Sequence, residues 1–187
     1  MNRSSTLVAG LLIAGALLLL GGDVAQVLQG GFLWTILLWL AFVCMGAGLL
    51  LLPAALSLNR HPLVMAGVAC AFVGCFAGAS MQVFFRVREV LQGADQKAAV
   101  DLLQGHKLLT LSTLVPGILF PLGLLVLSAG FMRSRVLPLR ASLALALGAV
   151  LFPVGHAAGF VPALILGDVI LLIAFFLCSR DRVPGTL

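Results

Sequence analysis

Apolar residues in this chain come in long runs, and the polar residues between them fall in short clusters. A helix needs about 20 mainly apolar residues to cross the roughly 30 Å hydrocarbon core of a bilayer. Six segments meet that length, at about 7–28, 32–58, 63–85, 108–131, 141–160 and 161–178. The predicted fold is therefore all-α: an integral membrane bundle of six transmembrane helices, forming a single domain over 1–187. Arg86 to Lys107 is the one sizeable polar segment, and it is expected to lie outside the hydrocarbon. Read as a helix, it places Val87, Val90, Leu91, Ala94, Ala98 and Leu102 on an apolar stripe, with Glu89, Asp95, Lys97 and Asp101 elsewhere. The pattern predicts an amphipathic helix on the membrane surface, or a third helix that extends beyond the bilayer. Gly93 and Gly105 weaken or end it.

The details of each run refine this picture. Met1 to Thr6 is polar with Arg3, and the apolar run from Leu7 to Gly22 continues in pattern through Val24, Val27 and Leu28. A signal peptide begins in the same way, but residues 21–25 offer no clear small-x-small cleavage site, so a retained first helix is expected. Asp23, Gln26 and Gln29 are read as making the first connection polar. Trp34 stands near the start of the second helix, as an interfacial anchor does. Asn59-Arg60-His61-Pro62 reads as a tight turn, with His61 solvated and Pro62 opening the next helix. The third helix carries Gly67, Ala71, Gly74, Cys75 and Gly78, small residues that let another backbone come close in lipid. It is expected to be the central, most enclosed helix, and a surface for a membrane partner or a second copy. Pro116 and Pro121 are expected to kink the fourth helix and free backbone carbonyls for polar partners.

Composition agrees with the pattern. The chain is 62% hydrophobic and 9% charged, against about 25% charged in soluble domains. The net charge of +5 does not point to nucleic acid, because the basic residues sit in short connections where topology rules place them. With the N-terminus inside, the cytoplasmic segments hold seven positive residues: Arg3, Arg60, Arg133, Arg135, Arg140, Arg180 and Arg182. The external segments hold four, Arg86, Arg88, Lys97 and Lys107, all in the one long loop. Both termini are therefore expected in the cytoplasm, in a multi-pass protein of a bacterial inner membrane. Cys44, Cys70, Cys75 and Cys178 form no CxxC pair and read as small packing residues.

Chemistry is sparse, and that narrows the candidates to one pair. His156 and Asp168 lie in the last two apolar runs, on either side of a turn at Gly159-Phe160-Val161-Pro162. An Asp near the middle of a spanning helix costs about 2.5–3.5 kcal/mol, so a compensating partner is expected. With this turn outside, His156 lies about 6 Å and Asp168 about 10 Å below it, close enough to meet across the hairpin. They are the predicted ligand or proton site, near the external face, with His106, Thr110, Thr113 and Gln82 as candidate lining. No Walker loop, dinucleotide GxGxxG, HExxH or nucleophile–histidine pattern is present. No catalytic residue, metal site or cofactor is assigned, and an enzyme is not the expected class. The leading reading is a carrier or channel-like protein. The alternatives are an accessory subunit whose polar pair only locks the bundle, and a haem protein using His106 and His156 as ligands.

One stretch resembles a known group. The run Val136-Leu137-Pro138-Leu139-Arg140-Ala141, then Leu151-Phe152-Pro153-Val154-Gly155, then Gly167-Asp168, resembles the end of small uncharacterised bacterial polytopic membrane proteins. The resemblance covers the last third of the chain. It implies a bacterial multi-pass membrane protein and carries over no activity or site.

Overall fold

The computed structural model describes residues 3–28, 31–93, 96–105 and 107–180, with side chains undescribed at 3–4, 100, 102–104, 107–116 and 157. Its elements are α1 (Arg3–Val27), α2 (Phe32–Ala55), α3 (Pro62–Gly93), α4 (Lys97–Gly105), α5 (Lys107–Ser134), α6 (Leu139–Ala158) and α7 (Val161–Arg180). Among the described residues, six helices are long and apolar enough to cross a membrane; only α4 is not. Large apolar side chains such as Leu50, Phe76, Val83, Leu143 and Phe176 point outward from them. Such a surface suits lipid.

The six long helices close a ring. Among the described residues, α1 packs against α2 and α7, α2 against α3, α3 against α5, α5 against α6, and α6 against α7. No helix runs down the middle, so α3 is not the central element its small residues suggested. Side chains fill the interior instead, including Leu12, Met45, Leu49, Phe120, Leu127, Phe131, Leu145 and Phe175, all fully buried. All three connections within the pairs α1–α2, α3–α5 and α6–α7 lie at one end of the ring, called here the hairpin end. The termini and the α2–α3 and α5–α6 connections lie at the other, the terminal end.

Glycine separates these contacts into two kinds. A Cβ added at Gly67 would meet the backbone of Leu127 at 2.5 Å, and one at Gly74 or Gly123 would run into the backbones of Phe120 and Ala71. This is how α3 uses its small residues: Gly67, Ala71 and Gly74 face α5, while Cys75 and Gly78 face α2. In α1–α2, a Cβ at Gly15 would lie 2.9 Å from the Met45 nitrogen; in α6–α7, one at Gly155 would collide with the backbone of Leu164. Between the pairs the described glycines meet side chains at most, as Gly78 meets the ring of Phe42. With no hydrophobic effect between helices in lipid, close packing carries association. The ring is three tightly packed hairpins joined along looser seams.

Helix ends follow the local chemistry. The second helix stops at Ala55, short of the expected 58, because Ser57 takes a left-handed conformation (φ 57°). The Leu58 N–H then donates to the Pro53 carbonyl at 2.8 Å and the Ser57 N–H to Ala54 at 3.3 Å, closing a Schellman cap over the buried Leu58. At the other turn Gly159 is left-handed (φ 62°), and the Phe160 N–H donates to Gly155 at 3.1 Å. A new helix begins at once, which makes α6–α7 a very tight hairpin.

The long polar segment is divided. Its first part, through Gly93, continues α3 beyond the expected end at 85, and its last part forms the separate short helix α4. Arg86 anchors the extension: its guanidinium pairs with Glu89 at 2.8 Å and lies 4.4 Å over the Phe32 ring. Trp34 touches Phe85, with ring centroids 6.3 Å apart, so α2 and α3 share a collar of aromatic and basic residues at the hairpin end. α5 runs through Pro116 and Pro121 as one helix.

Candidate functional site

Three hairpin-end side chains come together, and one of them was placed differently by the sequence. α1 buries Val8, Leu12, Ala16 and Leu19, a stripe at helical spacing. Asp23 is the next residue on that stripe and is 0% exposed. It belongs to the helix interior, not to the polar connection expected of it. On α7 the buried stripe is Leu164, Asp168, Leu171, Phe175 and Cys178, with Asp168 also 0% exposed. On α6 the face carrying Leu145, Ala149 and Phe152 continues to His156, whose side chain is 35% exposed.

The geometry can be followed atom by atom. The His156 Nδ1–H donates to the Phe152 carbonyl at 3.0 Å, a contact only a protonated Nδ1 can make. The ring also stacks at a tilt on Phe152, 4.2 Å between centroids. Nε2 is thereby turned towards Asp23, 3.4 Å from Oδ2, which is ion-pair distance but long for a hydrogen bond. Asp168 is buried on α7, the helix that packs against α1, at the same end of the ring as Asp23. The ion-pair contact of His156 is thus with Asp23, not with Asp168 as the hairpin geometry alone suggested. α1 and α6 are not neighbours in the ring, so Asp23 and His156 bridge them by side chains past α7.

The cluster is short of donors. None of the four oxygens of Asp23 and Asp168 accepts a hydrogen bond among the described residues. A buried carboxylate left so is costly, and two ionised carboxylates buried on neighbouring helices at one end of the ring repel each other. With the Nδ1 proton turned to the Phe152 carbonyl, Nε2 is the ring atom left facing Asp23.

The chain matches no family model, no curated protein and no solved structure.

The other candidates sit elsewhere. Gln82 is buried on α3 with its Oε1 unpartnered, but α3 is not a neighbour of α1, α6 or α7. His106 lies outside the described residues, as do the side chains of Thr110 and Thr113. His61 is half-buried in the α2–α3 turn at the terminal end, not fully solvated. No group of three His, Cys, Asp or Glu side chains among the described residues is arranged to hold a metal ion, and the four cysteines are free thiols.

What lies beyond the cluster matters as much. Phe42, Phe120 and Phe152 meet edge to face, at 5.8 and 5.2 Å, and close the space next to His156. Further towards the terminal end the buried residues are almost all apolar. The few polar ones include Ser128, whose hydroxyl donates to the Ser142 carbonyl at 2.7 Å.

Proposed function

We propose that this protein is a membrane carrier whose central site, Asp23, Asp168 and His156, takes up a proton or small cation from the hairpin end. The observation that carries the reading is a pair of fully buried, donor-poor carboxyls beside a half-exposed histidine. Intramembrane acids are expensive, and their usual service is to ion or proton pathways. A continuous pore is disfavoured by the aromatic and aliphatic plug below the site; a carrier needs no such pore. The charge distribution supports a bacterial inner-membrane location with both termini cytoplasmic, which puts the site on the external side. α4, with its apolar and polar faces, fits a helix resting on that surface.

The test is uptake into proteoliposomes containing the purified protein. With a lumenal pH dye and an imposed gradient, the wild type is expected to move protons or a co-carried cation. Asp168→Asn and Asp23→Asn, which keep size and hydrogen bonding, are expected to lower the rate at least about 10-fold, the scale of one lost charge-assisted contact. If both variants transport like the wild type, the cluster is a structural lock and the accessory-subunit reading takes over.

A further inference from the structure

The three carboxyl and imidazole groups do not belong to one packing unit. Asp23 is in the α1–α2 hairpin; His156 and Asp168 are in the α6–α7 hairpin. Inside each hairpin glycines bring backbone against backbone, but no described glycine of either hairpin approaches the other across the α1–α7 seam. That seam is also one of the less extensive helix contacts in the ring. Two rigid bodies therefore meet along a loose line, and at its hairpin end the line is held by the polar cluster.

We propose that Asp23, His156 and Asp168 form a proton-operated clasp between the α1–α2 and α6–α7 hairpins, closed when protonated and open when the protons leave. The inference deepens the carrier reading by naming the proton as the ligand of that site and the α1–α7 seam as the moving part. Protonated, one carboxyl donates to the other and His156 bonds Asp23, so both hairpins are drawn together. Deprotonated, two carboxylates face each other with no donor from the protein, and water must enter between them. Among the described side chains of the helices packed around it, none at the hairpin end offsets that charge. α2 contributes only Cys44 as a titratable side chain. On α5 the described cation is Arg133, exposed at the terminal end; Arg3 of α1, Arg140 of α6 and Arg180 of α7 lie at that end too. His156, neutral in the same range, ceases to oppose the repulsion.

A metal clasp is a poorer account, because the three groups do not converge on one coordination position. The apolar plug further down, Phe120, Leu124, Leu127 and Leu145, gives the terminal end no comparable switch.

The test measures seam width directly. In a background with the native cysteines replaced by alanine, spin labels are placed through Leu33→Cys on α2 and Val154→Cys on α6, both exposed positions. A control pair, Val24→Cys and Leu33→Cys, lies within one hairpin. Distances are read by pulsed electron resonance in nanodiscs, from about pH 5 to about pH 9, a range that brackets histidine. The seam distance is expected to lengthen by about 3 Å on deprotonation, the width of one hydrogen-bonded water, while the control stays fixed. Asp23→Asn and Asp168→Asn are expected to hold the short distance throughout, and Asp23→Glu to restore the response. A seam that does not move in the wild type overturns the proposal, whatever the variants do. So does an equal change in the control pair, or a wild-type response in both Asn variants. Uptake and seam motion fail separately: a seam that opens in a protein that carries nothing ends the carrier reading and leaves the clasp. Transport without opening does the reverse.

Discussion

The α3–α5 contact and the α1–α7 contact are both helix pairs in the same bilayer, built on opposite terms. α3 and α5 meet through Gly67, Gly74 and Gly123, backbone on backbone, with no polar side chain required. α1 and α7 meet without close-packed glycine, and what sets them apart is one fully buried acid on each, Asp23 being reached by a histidine from α6. The first contact gains from van der Waals packing and has one geometry. The second depends on protons, so its strength follows the surroundings. A small membrane protein can thus keep rigidity and response in separate seams. The cost of burying Asp23 and Asp168 makes sense where something is meant to change.

The largest expected effect tests the rigid contact. Gly74→Leu drives four carbons into the Phe120 backbone, which cannot rotate aside, and is expected to cost at least the roughly 3 kcal/mol at the upper end of overpacking. Folded yield in fluorescence-detected size exclusion should collapse. Gly78→Leu meets only the ring of Phe42 and is expected to be clearly milder. Equal effects would erase the distinction between backbone and side-chain seams. Next in size, and opposite in sign, Asp168→Leu removes a buried acid from the responsive contact. Thermal stability is expected to stay level or rise by about 1 kcal/mol, since apolar replacements of buried charge are often neutral or stabilising, while uptake is lost. A steep fall in stability would mean that Asp168 is a structural keystone. The smallest effect is Ser128→Ala, which deletes the Ser128–Ser142 hydrogen bond joining α5 to α6. About 0.6 kcal/mol is expected, the average for such bonds in membrane bundles.

Six membrane-length helices were legible because lipid demands long apolar runs, and composition leaves no other solvent. The α6–α7 hairpin was legible from Gly159 and Pro162. Asp168 stood out because nothing polar surrounds it in sequence. Asp23 did not, because Gln26 and Gln29 follow it and a loop explains all three. Its signal was the stripe Val8, Leu12, Ala16, Leu19, whose next helical position is residue 23. The ring itself was not readable either. Small residues on α3 say that something approaches, but whether that is α5, a central position or a second copy depends on how all six helices close. The long polar segment was ambiguous for a similar reason: an amphipathic stripe fits both the extension of α3 and the separate α4.

The proposed carrier site and the proposed clasp both require a proton held between Asp23 and Asp168 inside the membrane. Infrared spectroscopy of the reconstituted protein at neutral pH tests it most directly, because a protonated carboxyl has a carbonyl stretch that an ionised one lacks. The wild type is expected to show one such band, shifted in deuterated water and lost in both Asp23→Asn and Asp168→Asn. No band at neutral pH, or a band that survives both substitutions, would contradict the account.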